Sequence, residues 1–245
     1  MEHEETNKFG YNIKENNINL NLSSITDKSG VERTHPFLQN SFVSLILGKP
    51  GSGKTHLIQN LILNEKLYYK FFNYIYVISP YCFNPEICVK GIWFSEFDTK
   101  SIYENIISKH HKLQKNKDVV EQRDHILIVI DDFVSKLSEQ QNNSALIDLF
   151  YTRRHIIKNT TISFILTSQK YTMIPSKLRA VLTSIYMFSP NPVDMAAIYK
   201  EVGFIKEKLL KDIITRFLKD THSFILLNLD SNKIFADFDE IKYNS

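Results

Sequence analysis

The chain predicts an α/β fold with a mainly parallel central sheet and helices on both of its faces. Three observations predict it. Strand-like apolar runs alternate with helix-like periodic segments from Phe42 to Leu218. A glycine-rich loop, Gly48 to Thr55, lies between the first such run and the first such helix. The most apolar run, Ile126 to Ile130, ends on two adjacent aspartates, Asp131 and Asp132.

Residues 1–40 are polar, with Asn16, Asn17, Asn19 and Asn21 closely spaced, and read as an extension that is at best partly ordered before His35-Pro36-Phe37-Leu38. Residues 41–245 read as one domain. Phe42 to Leu47 is apolar at nearly every position, as expected of a strand buried on both faces. Lys54 to Asn64 continues from the glycine loop as a helix. Tyr74 to Ser79 is a second strand, stopped by Pro80. Residues 81–100 read as irregular, with turn signals at Asn84-Pro85 and Gly91. Ile102 to Leu113 is amphipathic, and Lys112 to Arg123 is a charged connection. Ile126 to Ile130 is the central strand. Ser144 to His155 is helical, and Thr161 to Thr167 is a fourth strand ending at Ser168-Gln169. Ser184 to Phe188 is the fifth. Pro192 to Val202 and Lys206 to Leu218 are helices. Ser223 to Leu229 and Lys233 to Phe238 form a closing hairpin around Asp230-Ser231-Asn232, within residues 222–238.

Composition sets the outer bounds. The chain has 245 residues, 43% of them hydrophobic, enough for one large domain with a sizeable core. The formal charge of +3 is only mildly basic and does not by itself indicate nucleic acid. Cys82 and Cys88 cannot build a disulfide framework or fill a zinc site unaided, and are expected as reduced thiols. Met1 to Lys8 is too polar for a signal peptide, and no apolar run approaches the roughly 20 residues of a membrane span. A soluble intracellular protein without membrane partners is the expectation.

Gly48-Lys49-Pro50-Gly51-Ser52-Gly53-Lys54-Thr55 matches the G-x-x-x-x-G-K-[ST] phosphate loop in full. Its glycines let the backbone curl until successive N–H groups face phosphate oxygens, and the following helix adds its positive dipole end. Lys54 is expected to reach the β- and γ-phosphates of ATP, and the Thr55 hydroxyl to ligate Mg²⁺. A preceding strand and a following helix are the context this chemistry requires. At the tip of the central strand, Asp131 suits the metal-side carboxylate. Asp132 is placed to activate the attacking water, or else to cap the next segment. Gln169, at another strand tip, can hydrogen-bond the γ-phosphate or the lytic water, or be a surface turn residue.

Arg153 and Arg154 precede the fourth strand. They can serve as an arginine finger inserted into a neighbouring subunit, as helix-terminal cations, or as salt-bridge partners. Arg179 is a further, lesser candidate. Lys109-His110-His111-Lys112, with Lys115 and Lys117, reads as a solvated helix end, with DNA contact as the alternative.

The succession GKPGSGKT, ILIVIDD, YTRRHIIKNTTISFILTSQ and IPSKLRAVLTSIYMF resembles the genome-packaging ATPases of poxvirus-like large DNA viruses and, most closely, of virophages, within the FtsK–HerA superfamily. The resemblance runs from about Phe42 to about Phe188. It implies a P-loop NTPase of the additional-strand type, with the Gln169 strand between the glycine-loop strand and the Asp131 strand. It implies ATP and Mg²⁺, a homo-oligomeric ring, double-stranded DNA as the moved substrate, and docking at a capsid portal or vertex. Action would be in the host cytoplasm at sites of virus assembly, with association with the virion as the alternative. Carried over, Lys54 and Thr55 are nucleotide ligands, Asp131 the metal-side and Asp132 the catalytic carboxylate, Gln169 the sensor, and Arg153 or Arg154 the finger. Asp132 departs from the glutamate common in the wider superfamily. A phosphate-transferring kinase and a nucleotide-gated assembly protein with little turnover are the competing classes.

Overall fold

The computed structural model describes residues 13–15, 24–26, 32–34, 41–64, 67–81, 92–115, 124–133, 136 and 144–243. The strands are β1 (Ile13–Glu15), β2 (Ser24–Thr26), β3 (Glu32–Thr34), β4 (Val43–Leu47), β5 (Tyr74–Ile78), β6 (Ile92–Phe94) and β7 (Asp124–Ile130). They continue with β8 (Thr160–Ser168), β9 (Ser184–Met187), β10 (Ile225–Asn228), β11 (Lys233–Ala236) and β12 (Asp239–Tyr243). The helices are α1 (Lys54–Leu63), α2 (Thr99–Ile102), α3 (Lys109–Lys115), α4 (Ser144–Thr152), α5 (Ser176–Arg179), α6 (Pro192–Val202) and α7 (Glu207–Phe217). A π-helical segment, Tyr103–Ser108, joins α2 to α3.

The main sheet has ten strands in the order β1-β12-β11-β10-β9-β4-β8-β7-β5-β6. From β9 to β6 the neighbours are parallel, and from β9 outward to β1 they are antiparallel. The strand order puts β8 between β4 and β7, as the resemblance implies.

Both faces of the parallel half are buried, which is why its strands read as unbroken apolar runs. Ile126, Ile128 and Ile130 of β7 pack on one face with Leu149 and Phe150 of α4, Ile198 of α6 and Leu210 of α7. Leu127 and Val129 pack on the other with Leu57, Ile58 and Leu61 of α1 and the aromatics Tyr68, Phe71 and Phe72. This is the period-2 division of a pleated strand. Each fully buried Ile or Leu contributes about 1.5–3 kcal/mol relative to its exposed state. Among the described residues, no helix is long and apolar enough to cross a membrane.

Several elements differ from the sequence reading. Residues 81–100 are not irregular throughout: β6 pairs in parallel with β5, and α2 begins at Thr99. A three-residue edge strand with Ile92 and Trp93 exposed carries too little pattern to be read. The helix expected over Ser144 to His155 stops at Thr152, because the Arg153 carbonyl accepts from Ile162 N–H instead of continuing the turn. β12 follows β11 through a tight turn in which Asp237 takes φ 51°, a corner without the usual glycine signal. Within the polar extension, β1 pairs with β12 and β2 pairs with β3. His35 to Leu38, Cys82, Cys88, Asn84, Pro85, Gly91, Lys117 and most of the charged connection after Lys115 lie outside the described residues.

His110 is not part of a solvated helix end. It is fully buried, its Nε2 lies 2.7 Å from the Tyr76 hydroxyl, and its ring meets Tyr74 edge-on. Lys109, His111 and Lys112 on the same turn are exposed.

Candidate active site

The register of the three central strands assembles the site. Leu47 of β4 lies opposite Ser168 of β8, and Ile130 of β7 lies opposite Leu166. One residue further on, Gly48 N–H donates to Ser168 O at 3.0 Å, and Asp131 stands beside Thr167. The strand tips therefore bring the glycine loop, the aspartate pair and the residues before Gln169 to one edge of the sheet.

The loop's curl depends on its glycines. A side chain on Gly48 would overlap Ser52 Oγ and sit 2.9 Å from Phe188 Cβ. Gly53 has φ 102°, a left-handed conformation costly for residues with a Cβ, and it caps α1. Lys49, Pro50 and Gly51 form the exposed crest, whereas Ser52 and Lys54 are buried. Lys54 Nζ donates to Gly48 O at 2.9 Å and Lys49 O at 3.0 Å, tying the loop to the start of its own helix. Burial lowers the Lys54 pKa, and the charges of Asp132 and Asp131 oppose that shift.

Asp131 is only 5% exposed, and Thr167 Oγ1 donates to its Oδ1 at 2.7 Å. Burial pushes its carboxyl above the usual range, the Thr167 hydrogen bond pulls it back, Asp132 adds to the rise and Lys54 opposes it. Asp132 is exposed, with its backbone at φ 57°. A non-glycine residue there is uncommon, with aspartate among the more tolerant types. The same Thr167 Oγ1 accepts from Asp132 N–H at 3.0 Å. One hydroxyl thus orients the buried carboxylate and pins the backbone that carries the exposed one. Gln169, one residue past the end of β8, is exposed.

Sequence reasoning passed over Thr167 as a site residue. Its signal was a hydroxyl two positions before Gln169, but only the register shows that it faces Asp131. Thr167→Val keeps the shape and removes both hydrogen bonds. Turnover of Mg-ATP at saturation is expected to fall about ten- to a hundred-fold, with Thr167→Ser near the parent. Steady-state phosphate release measures this, and an unchanged Thr167→Val rate would remove Thr167 from the site.

The arginines lie elsewhere. Arg153 is 8% exposed, with Nη1 donating to Phe150 O at 2.8 Å and Nε to Ser41 O at 3.3 Å. Ser41 precedes β4 and Gly48 follows it, so at about 3.3 Å per residue Arg153 lies about 20 Å from the phosphate loop. Burial, and then the neighbouring charge of Arg154, lower the Arg153 pKa, against Asp230. Arg154 and His155 are exposed and line a surface pocket with Lys158, Asn159 and Thr160 at the entry to β8. β8 runs from these arginines to the site, so both lie at the opposite edge of the sheet from the glycine loop. Arg179 is engaged locally, bridging Glu201 at 2.9 Å and donating to Ile174 O at 3.1 Å.

The residues present fit a magnesium-bound triphosphate. Ser52 Oγ is buried without a hydrogen-bond partner, the space at Gly48 closes if a Cβ is added, and Thr55 and Asp131 offer the hard oxygen donors that Mg²⁺ takes.

A glycine loop after β4, an aspartate pair after β7 and an intervening β8 with a polar tip define a P-loop NTPase of the additional-strand class. The model of the family described as poxvirus A32 protein matches residues 32–241, and the chain belongs to that family. Comparison with curated protein sequences finds no match. Among solved structures, the chain is similar to B204, the DNA-packaging ATPase of Sulfolobus turreted icosahedral virus, with a TM-score of 0.59 and 16% identity over 81% of this chain and 98% of that one. It is similar to the genome-packaging NTPase B204 of Sulfolobus turreted icosahedral virus 2 in complex with ATPγS, with a TM-score of 0.57 and 16% identity over 82% and 98% of the two chains. The monomer form of the pCW3 conjugation coupling protein TcpA with ATPγS gives 0.58 and 15% identity over 89% and 65%. At these identities the structural likeness establishes the fold.

Proposed function

We propose that this chain is the ATP-hydrolysing motor that drives viral double-stranded DNA into a capsid. The observation that carries the reading is the convergence of the glycine loop and the Asp131–Asp132 pair at adjoining strand tips, in a chain of the poxvirus A32 family. Two solved relatives of the same fold are described as packaging enzymes, which supports the step from ATPase to packaging.

Gly48 to Thr55 would hold the triphosphate through loop amides, with Lys54 at the β- and γ-phosphates. Thr55 and Asp131 would hold Mg²⁺, which when bound neutralises charge on the phosphate oxygens. Asp132 takes a proton from water as that water attacks the γ-phosphorus and the bridging oxygen leaves with ADP. Gln169 orients the water or the γ-phosphate. Arg154, remote from its own site, enters the neighbouring subunit's site as the finger, which requires a homo-oligomeric ring. Such a ring would sit at a portal or vertex of the capsid, at sites of virus assembly in the host cytoplasm. Residues 41–245 form the ATPase body, and β1 of the preceding extension adds an edge strand to its sheet.

The test is phosphate release from ATP by the purified chain with Mg²⁺, with EDTA, and with a nucleoside monophosphate as competing acceptor. Mg²⁺-dependent release abolished by Lys54→Ala is expected. Transfer of phosphate to the monophosphate would instead make the chain a kinase, and binding without turnover a nucleotide-gated assembly protein.

A further inference from the structure

The segment between α7 and β10 reaches back to the phosphate loop, and nothing in the site described above uses it. His222 Nδ1 lies 3.3 Å from Ser52 O. Facing a carbonyl, that nitrogen can bond only as the donor, in the tautomer with the proton on Nδ1. The same atom would be 3.2 Å from a Cβ on Gly53, so the imidazole lies against the outer side of the loop.

The histidine is held from both sides. Asp220 Oδ1 accepts from His222 N–H and from Ser223 N–H, each at 2.8 Å, and Asp220 Oδ2 accepts from Ser223 Oγ at 3.0 Å. Just beyond, Phe224 packs on Phe188, Tyr186 and Phe238, with ring centroids 5.2–5.6 Å away. Besides Ser52, a Cβ on Gly48 would strike Phe188. The base of the loop therefore rests on Phe188, and its outer side on His222.

We propose that His222 is a positioning residue for the phosphate loop. Ser52 C=O and Gly53 N–H belong to one planar trans peptide and point in opposite directions. Holding the carbonyl outward on His222 keeps the Gly53 amide turned inward, toward the phosphates. The segment that leads into β10 thereby sets the readiness of the loop to take nucleotide. The inference rests on Gly48 to Thr55 being the nucleotide site.

The experiment measures ATPγS affinity by titration calorimetry, and KM and kcat for ATP, in the full chain and in His222→Ala, His222→Asn and Lys54→Ala. Asparagine places an N–H donor near the position of Nδ1. His222→Ala is expected to weaken ATPγS binding and raise KM about three- to ten-fold, the size of one hydrogen bond, with kcat at saturation retained. His222→Asn is expected to restore most of the loss. Unchanged affinity in His222→Ala, or a His222→Asn variant no better than alanine, overturns the proposal while leaving the site intact. If Lys54→Ala binds ATPγS like the parent, the loop is not the nucleotide site and both readings fall.

Discussion

Arg154→Ala is expected to leave each subunit able to bind ATP and to cut turnover by about 10³–10⁵, the range an arginine finger supplies. Arg153 is buried against the Phe150 and Ser41 carbonyls, so moving it would uncover a cation and two acceptors. Arg154 is exposed at the same sheet edge. Since β8 separates that edge from the strand tips, the proposed finger role requires its guanidinium to act across a subunit boundary. Mixing Arg154→Ala subunits with Lys54→Ala subunits should recover part of the rate, because some interfaces then pair an intact site with an intact finger. The same mixture made with Arg153→Ala should recover nothing through an interface, and that variant should show its defect as lost thermal stability. If neither arginine variant recovers activity in mixed rings, an inter-subunit finger at these positions is wrong.

Asp132→Asn is expected to retain ATP and lower turnover about 10²–10⁴-fold, the usual contribution of a general base. Asp131 is buried and bound to Thr167, whereas Asp132 is exposed beside it, so the two carboxylates occupy different environments one residue apart. An aspartate is one methylene shorter than glutamate. The left-handed backbone at φ 57°, pinned through Thr167, redirects this side chain at the strand end. Rapid-quench measurement of a single turnover separates binding from cleavage. A normal cleavage rate in Asp132→Asn would remove it from the base role.

Much of this was legible because burial on both faces leaves a plain record: β4, β7 and β8 read as apolar runs, and the glycine loop and aspartates stand at their ends. The elements that escaped have physical reasons. β6 is three residues long and exposed, β12 follows a corner turned by Asp237 without glycine, and β1 finds its partner more than two hundred residues away. The roles of Thr167 and His222 depend on register and on a returning loop, which a linear pattern does not encode. Arg153 and Arg154 are adjacent and chemically identical in sequence. Only the carbonyls that surround one of them tell the pair apart.

In the proposed motor, ATP hydrolysis at Gly48 to Thr55 moves double-stranded DNA. Its most direct test is the ATPase rate of the full chain with and without long linear double-stranded DNA, with Lys54→Ala as the control. Turnover that rises on adding the duplex and vanishes in Lys54→Ala is the predicted result. A rate indifferent to DNA, with Lys54-dependent hydrolysis intact, would contradict the motor and leave only the ATPase.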